Sequence, residues 1–298
     1  MTVRRTWWHL EGLGRAPTEY ERVSTKLLYY PGRGFEVDTP VAAWYRRHQQ
    51  GSPLSAPDWD GFVDPRETTY RGYVARQTAK EARVDERWRV AAETGADHRL
   101  TAAWLAALEE VLPVLRFPVH GLQMAAAYVG HMAPGGRLVI AAGLEAADEL
   151  RRVERIAQRM RLVQRVRAGF GETSKAAWQT APRWQPWRQV VERLLVTYDW
   201  GEALVALGLV VKPAFDAQFG VQLARRAERA RDVALAVMLA SFADDLRWHH
   251  AWAQAAVAFA IEAAPANRDV IEGWRARWQP PVDAAVAAMA PWFEEEAP

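Results

Sequence analysis

From about Thr68 to the C-terminus, every extended stretch of this chain repeats its apolar residues at helical spacing, and none alternates convincingly enough for a sheet. An all-α fold is therefore expected, and Pro and Gly divide it into helices. "YRGYVARQTAKEARVDERWRVAAE" reads as one helix, and "TAAWLAALEEVLPVLR" as another interrupted at Pro113. "PVHGLQMAAAYVGHMAP" is apolar nearly all round, which predicts a central helix, bounded by Pro118 and by Pro134-Gly135-Gly136. "AAGLEAADELRRVERIAQRM" follows, and then a turn-rich linker, "GETSKAAWQTAPRWQP". "WRQVVERLLVTYDWGEALVALGLVVKP" reads as one long helix ending near Pro213. A helical stretch through "QLARRAERA" and a long helix from "DVALAVMLASF" to "AIEAAP" come next, and the tail supplies two shorter helices.

Four of these helices carry polar groups on the face that should be apolar. At about 100° per residue, Glu149 shares a face with Ala142, Val153, Ile156 and Met160, with Arg152 close by, while Arg151, Glu154, Arg155 and Gln158 point the other way. His249 falls with Leu235, Met238, Phe242, Ala253 and Ala256, and Asp245 lies one turn earlier. Glu202 falls with Val191, Leu195, Tyr198, Ala206 and Leu209, and Gln123 with Val119, Ala127 and Gly130. Burying such groups unpaired is costly, several kcal/mol for an ion. Either they meet one another, a ligand or ordered water, or each is satisfied locally at a partly exposed position.

Residues 1–75 have a different character. "GRAPTEY", "YYPGRGFEVDTP" and "GSPLSAPDWDGFVDP" place Pro and Gly every few residues, yet the segment is too aromatic for a disordered tail. An extended, loop-rich N-terminal arm laid against partner subunits is the expectation, followed by a helical domain over 76–298. Aromatic residues and arginine are enriched at the centres of protein interfaces. Trp7, Trp8, Tyr20, Tyr29, Tyr30 and Trp44 are the candidate interface residues.

Composition excludes several chemistries. The chain has no cysteine, which removes disulfides, zinc–cysteine sites, cysteine-bound iron–sulfur clusters and thiol nucleophiles. Its 38 basic and 36 acidic groups nearly balance and interleave, so no clean basic patch invites nucleic acid. No signal core follows the charged, aromatic N-terminus and no uninterrupted membrane-length apolar run exists, so a cytoplasmic protein without membrane association is expected. His249 and His250, about 100° apart on a helix, cannot both face one ion.

The four polar positions follow a known template. Carboxylate-bridged diiron bundles take one Glu from each of two helices and Glu-x-x-His from each of the other two. In chain order this sequence offers Gln123, then Glu149-x-x-Arg152, then Glu202, then Leu246-x-x-His249. Three of six positions keep a competent ligand; an amide, a permanent cation and an alkyl chain hold the others. The simplest account is that the Arg152 guanidinium takes the place of a metal and pairs with Glu149, Glu202 or both.

The chain also resembles the hydroxylase β subunit of the bacterial four-component diiron monooxygenases of toluene and alkenes. The resemblance runs nearly end to end, through "RTWWHLEGLGRAPTEYERVSTKLLYY", "HGLQMAAAYVGHMAP", "YDWGEALVALGLVVKP" and "VIEGWRARWQPPVD". It implies a ferritin-like helical fold within an (αβγ)2 hydroxylase. The diiron centre would sit in the α subunit, whose motifs read Asp-Glu-x-Arg-His. Against that motif, Asp148-Glu149-Leu150-Arg151-Arg152 keeps all but the final histidine, and Asp245-Leu246-Arg247-Trp248-His249 keeps only Asp and His. The resemblance thus implies no metal, cofactor or catalytic residue in this chain, with Asp148 and Asp245 behind the degenerate positions. It implies partners: the α and γ subunits, an effector protein, a Rieske-type ferredoxin and an NADH reductase. The implied role is a non-catalytic support for NADH- and O2-dependent hydroxylation or epoxidation. Two other readings stand beside it: a free-standing ferritin-like interaction protein, and a metal enzyme using Glu149, Glu202, His249 and Asp245.

Overall fold

The computed structural model describes residues 8–25 and 39–294. Among them there is no strand, and the expected all-α bundle is what the chain forms. Its principal helices are α1 (Tyr70–Glu93), α2 (Ala102–Glu109), α3 (Arg116–Met132) and α4 (Gly136–Val163). They continue as α5 (Gln185–Leu195), α6 (Trp200–Arg229), α7 (Val233–Ala263) and α8 (Asn267–Glu294). Several begin at side-chain caps: Thr69 accepts from Gly72 N at 3.1 Å, Asp199 from Glu202 N at 2.9 Å and Asp232 from Leu235 N at 2.9 Å.

α3 and α4 fold back on one another across the Pro134–Gly135 turn, and α4 also packs on α7. α7 in turn touches α1, α6 and α8. α6 packs tightly on α7 at Gly208, where an added Cβ would sit 2.5 Å from the Ala253 Cβ. Trp59, Trp200, Trp252, Trp274 and Trp278 join this core, so many of the tryptophans pack inside the chain.

Three expected helix boundaries change. The long helix expected from "WRQVV" to Pro213 is two helices, because the chain breaks at residues 196–199 and restarts on the Asp199 cap. The second part then runs straight through Pro213 to Arg229. Proline removes a backbone donor and crowds the carbonyl four residues back. Here a π-helical stretch, Ala206–Val211, immediately precedes the Lys212–Pro213 pair and widens the backbone; a second, Ala217–Gln222, follows. The tail is one helix rather than two, despite Pro280, Pro281 and Pro291. Its stripe of Ile271, Trp274, Trp278, Val282, Ala285, Met289 and Trp292 is buried throughout, and that burial outweighs the local cost of the prolines. The linker after α4 contains a short helix, Ser174–Thr180.

Of the N-terminal segment, residues 8–25 form a 3-10 turn and a short helix, Glu19–Ser24, closed by a Thr18–Glu21 capping box. Residues 51–69 lie on the bundle, with Leu54 and Phe62 in its core. α1 begins at Tyr70, so residues 70–75 belong to that helix. α6 is long and apolar enough to cross a membrane, but 67% of its most apolar window is buried inside the bundle.

Candidate functional site

Midway along α4 the buried face is charged. Glu145, Asp148, Glu149 and Arg152 are all at most 3% exposed. α6 directs Lys212 and Asp216 at them, and α7 directs His249 at them and Asp245 at Arg151 of the same helix α4. Their side chains meet in two connected groups.

The first is a closed ring of alternating charge. Arg152 Nη1 donates to both Glu149 oxygens at 3.0 and 2.9 Å and to Asp216 Oδ1 at 3.0 Å. Lys212 Nζ donates to Glu149 Oε1 at 2.5 Å and to Asp216 Oδ2 at 2.9 Å. Each carboxylate therefore touches both cations, and each cation both carboxylates. Burial alone would push the Glu149 and Asp216 carboxyls up, but the two cations outweigh it and hold both below their ordinary values. Burial likewise opposes the charge on Arg152 and Lys212, and the carboxylates reverse that sign. Buried charge of this kind is tolerable only when it is paired and hydrogen-bonded.

The second group joins α1, α4 and α7. Asp148 accepts from Tyr73 Oη at 2.9 Å, Gln77 Nε2 at 2.8 Å and His249 Nε2 at 3.0 Å. The same Gln77 amide reaches Asp245 at 2.9 Å, and Asp245 also pairs with Lys80 and with Arg151 at 2.8 Å. Burial raises the Asp148 carboxyl to about 6. Burial, reinforced by the Lys212 charge, holds His249 well below its ordinary value, so its ring is neutral near pH 7. Glu145 lies one turn before Glu149 and accepts from Trp252 Nε1 at 2.8 Å, while burial raises its carboxyl to about 8.

Of the six positions set against the diiron template, Glu149, Arg152 and His249 come together; Asp148 faces His249, and Asp245 is linked to Asp148 through Gln77. Leu246 is buried apolar core that meets the α6 backbone at Gly220. Gln123 is half-buried on α3 and forms no hydrogen bond with the group. Glu202 lies elsewhere, accepting from Trp278 Nε1 at 2.9 Å and pairing with Arg277 at 3.2 Å. Of the two partners expected for Arg152, Glu149 pairs with it, while Asp216 takes the place expected of Glu202. The Glu202 expectation rests on a continuous helix over 190–211, and the break at 196–199 resets the helical phase between Val191 and Glu202. A metal set of Glu149, Glu202, His249 and Asp245 is not assembled.

Lys212, Asp216 and Glu145 escaped the sequence reading, although a lysine inside the apolar run "ALVALGLVVKPAF" was a signal. Arg151 and Arg155, expected on the solvent side of α4, are turned inward. Arg151 pairs with Glu81 and Asp245, and Arg155 with Glu81 and Asp85. α4 has neighbours on several sides, so its buried arc is wider than one helical face.

Of the interface candidates, Trp7, Tyr29 and Tyr30 and the side chain of Trp8 lie outside the described residues. Tyr20 packs within the chain, 3% exposed, accepting from Asp64 N at 3.1 Å, with the Arg137 guanidinium over its ring. Trp44 is 37% exposed and stacks edge-on with Tyr198 at 4.9 Å.

An iron pair of the kind the diiron template holds does not fit these residues. Glu149 and Asp216 are saturated by two built-in cations, and a divalent ion placed there would face both at contact distance.

Residues 44–264 match the family model described as methane/phenol/alkene hydroxylase. The chain is 35% identical to the hydroxylase component subunit beta of the toluene-4-monooxygenase system of Ectopseudomonas mendocina, over 95% of this chain and 89% of that one. It is 25% identical to the hydroxylase component small subunit of propane 2-monooxygenase from Gordonia sp. (strain TY-5), over 84% and 69%. Among solved structures, a chain of toluene 4-monooxygenase with toluene in its resting active site superposes with a TM-score of 0.93 at 34% identity, covering 99% of both chains. The chain belongs to the methane, phenol and alkene hydroxylase family, as a hydroxylase component similar to the β subunit of toluene monooxygenases.

Proposed function

We propose that this chain is the non-catalytic β subunit of a multicomponent monooxygenase hydroxylase, and that it supports a diiron-bearing α subunit within an (αβγ)2 assembly. The observation that carries this is the Glu149–Arg152–Asp216–Lys212 ring: where a ferritin-like bundle would hold metal, this one holds two protein cations. Gln123, Glu149, Arg152, Glu202, Leu246 and His249 are then degenerate diiron positions, and Asp148 and Asp245 the groups behind them. The chain itself has no cofactor and no catalytic residue. A bundle braced by buried ion pairs suits a rigid support for ligand helices in a neighbouring subunit.

In this reading the partners are the α and γ subunits, together with the effector, Rieske-type ferredoxin and NADH reductase of the same system, and the location is cytoplasmic. The arm before α1, with Trp44 on its exposed side, reaches other subunits. The system hydroxylates or epoxidises an aromatic or alkene substrate, and the substrate pocket belongs to α.

Co-expression with candidate α and γ subunits, size-exclusion chromatography and metal analysis test the reading. Expected are a stable complex with iron in proportion to α, and a purified β chain free of iron. Stoichiometric iron in the isolated chain, or no association with α, overturns it.

A further inference from the structure

We infer that Arg152 and Lys212 stand where a divalent cation would lie between the Glu149 and Asp216 carboxylates, so that removing their charge opens a site for one. The inference rests on the reading that this chain has no working iron centre, and it deepens that reading by naming what keeps metal out.

The first observation is the ring itself. Glu149 and Asp216 face each other across the two cations, on α4 and α6, and each offers both oxygens. Carboxylates on opposite helices, bridged by cations within hydrogen-bond reach, are the donor arrangement a hard or borderline dication would use.

The second observation is independent of the ring. His249 is 1% exposed, and its Nδ1 has no hydrogen-bond partner. Its Nε2 faces Asp148 Oδ2 at 3.0 Å, so Nε2 carries the hydrogen and Nδ1 a lone pair. That lone pair lies 3.7 Å from Glu149 Oε1, an acceptor it cannot bond. An orphaned buried imidazole nitrogen is costly to keep. Its tautomer is fixed from behind by a carboxylate, as it is for metal-bound histidines. Glu145 adds a second orphan: Oε2 is held by Trp252, while Oε1 is buried with no partner. Two unsatisfied donor atoms thus lie beside the ring: His249 Nδ1, 3.7 Å from Glu149 Oε1, and Glu145 Oε1, one helical turn before Glu149.

Charge explains why the two cations keep metal out. Two carboxylates against two cations make a neutral ring. Removing both cations leaves two buried carboxylates that must take up protons or another cation, His250 standing 3.3 Å from Asp216, and a dication competes for them.

The test uses the full chain with Arg152→His and Lys212→Ala, titrated with cobalt(II) and read by visible absorption and thermal melting. The first change restores Glu-x-x-His and the second empties the lysine's space. The parent, and a control keeping both charges (Arg152→Lys, Lys212→Arg), should show no cobalt band. The double variant should bind about one cobalt per chain and melt higher with it. Adding Asp148→Asn should weaken cobalt binding about 10–100-fold, because Asp148 orients His249. If the double variant folds only when cobalt is present, the inference also holds. A folded double variant without cobalt absorption, or one unfolded with or without cobalt, overturns it and leaves the β-subunit reading standing. Iron or cobalt bound by the parent chain overturns both.

Discussion

Arg152 Nη1 lies 3.0 Å from Asp216 Oδ1, so a residue of α4 is tied to a residue of α6 that lies 64 positions later in the chain. The same nitrogen holds Glu149 on its own helix, three residues away. One guanidinium thereby closes a local pair and a long-range pair in the centre of the bundle.

Arg152→Leu should therefore cost more than a lost surface pair. It leaves Glu149 and Asp216 with Lys212 as their shared cation, and breaking a buried pair costs about 3–5 kcal/mol. Thermal unfolding should show a clearly lowered midpoint, with Arg152→Lys falling between the two. A leucine variant melting with the parent would show that the ring contributes nothing.

Glu145 sets a pH dependence of the opposite sense from the ring. Its carboxyl is raised to about 8 in the folded chain and ordinary when unfolded. Between about pH 4.5 and 8 the folded state binds more protons, so stability falls as pH rises through that window and levels off above it. The slope is at most about 1.4 kcal/mol per pH unit. Glu145→Gln, which keeps the acceptor for Trp252, should flatten this decline in denaturant titrations from pH 5 to 9. An unchanged slope would remove Glu145 as its source.

Glu149 and Asp216 are held below their ordinary values, burial being outweighed by Arg152 and Lys212. Their stabilisation is present above the ordinary carboxylate range and is lost as pH falls below it. Acid unfolding should set in at higher pH in Lys212→Met than in the parent, as followed by circular dichroism. Coincident acid transitions would contradict the coupling.

Gly208→Ala should destabilise the chain even though alanine is the better helix former. The new Cβ would meet the Ala253 Cβ at 2.5 Å, and overpacking costs about 1–3 kcal/mol. Ala253→Gly in the same chain should recover part of the loss, which a double-mutant cycle of urea midpoints measures.

Deleting residues 1–40 should impair assembly with the α subunit more than it impairs the bundle. Within the described residues, the deletion removes the Tyr20 contacts with Asp64 and Arg137 but leaves α1 to α8 intact. Co-purification should fall while the helical circular dichroism of the remaining chain persists. Full assembly after deletion would argue against the arm.

The helical class, the central place of α3 and the inward Glu149–Arg152 pair were all legible in the sequence, because a 3.6-residue period places side chains on a face wherever a helix runs unbroken. His249 was legible for the same reason: α7 is regular from Val233 to Ala263. Where the period fails, so did the reading. The break at 196–199 detached Glu202 from the group, and the π segment Ala206–Val211 shifts the helical phase by which Lys212 and Asp216 point inward.

The sequence by itself determined that the chain is helical throughout its main body and that ionisable groups would sit among apolar ones. Only the tertiary structure decided which of them meet. A periodic pattern carries the direction of a side chain around its own axis, but no information on the distance to another helix. Lys212 became the second cation, and Asp216 rather than Glu202 the second carboxylate, because α6 restarts on its Asp199 cap and continues through Pro213. That path brings the two residues beside α4.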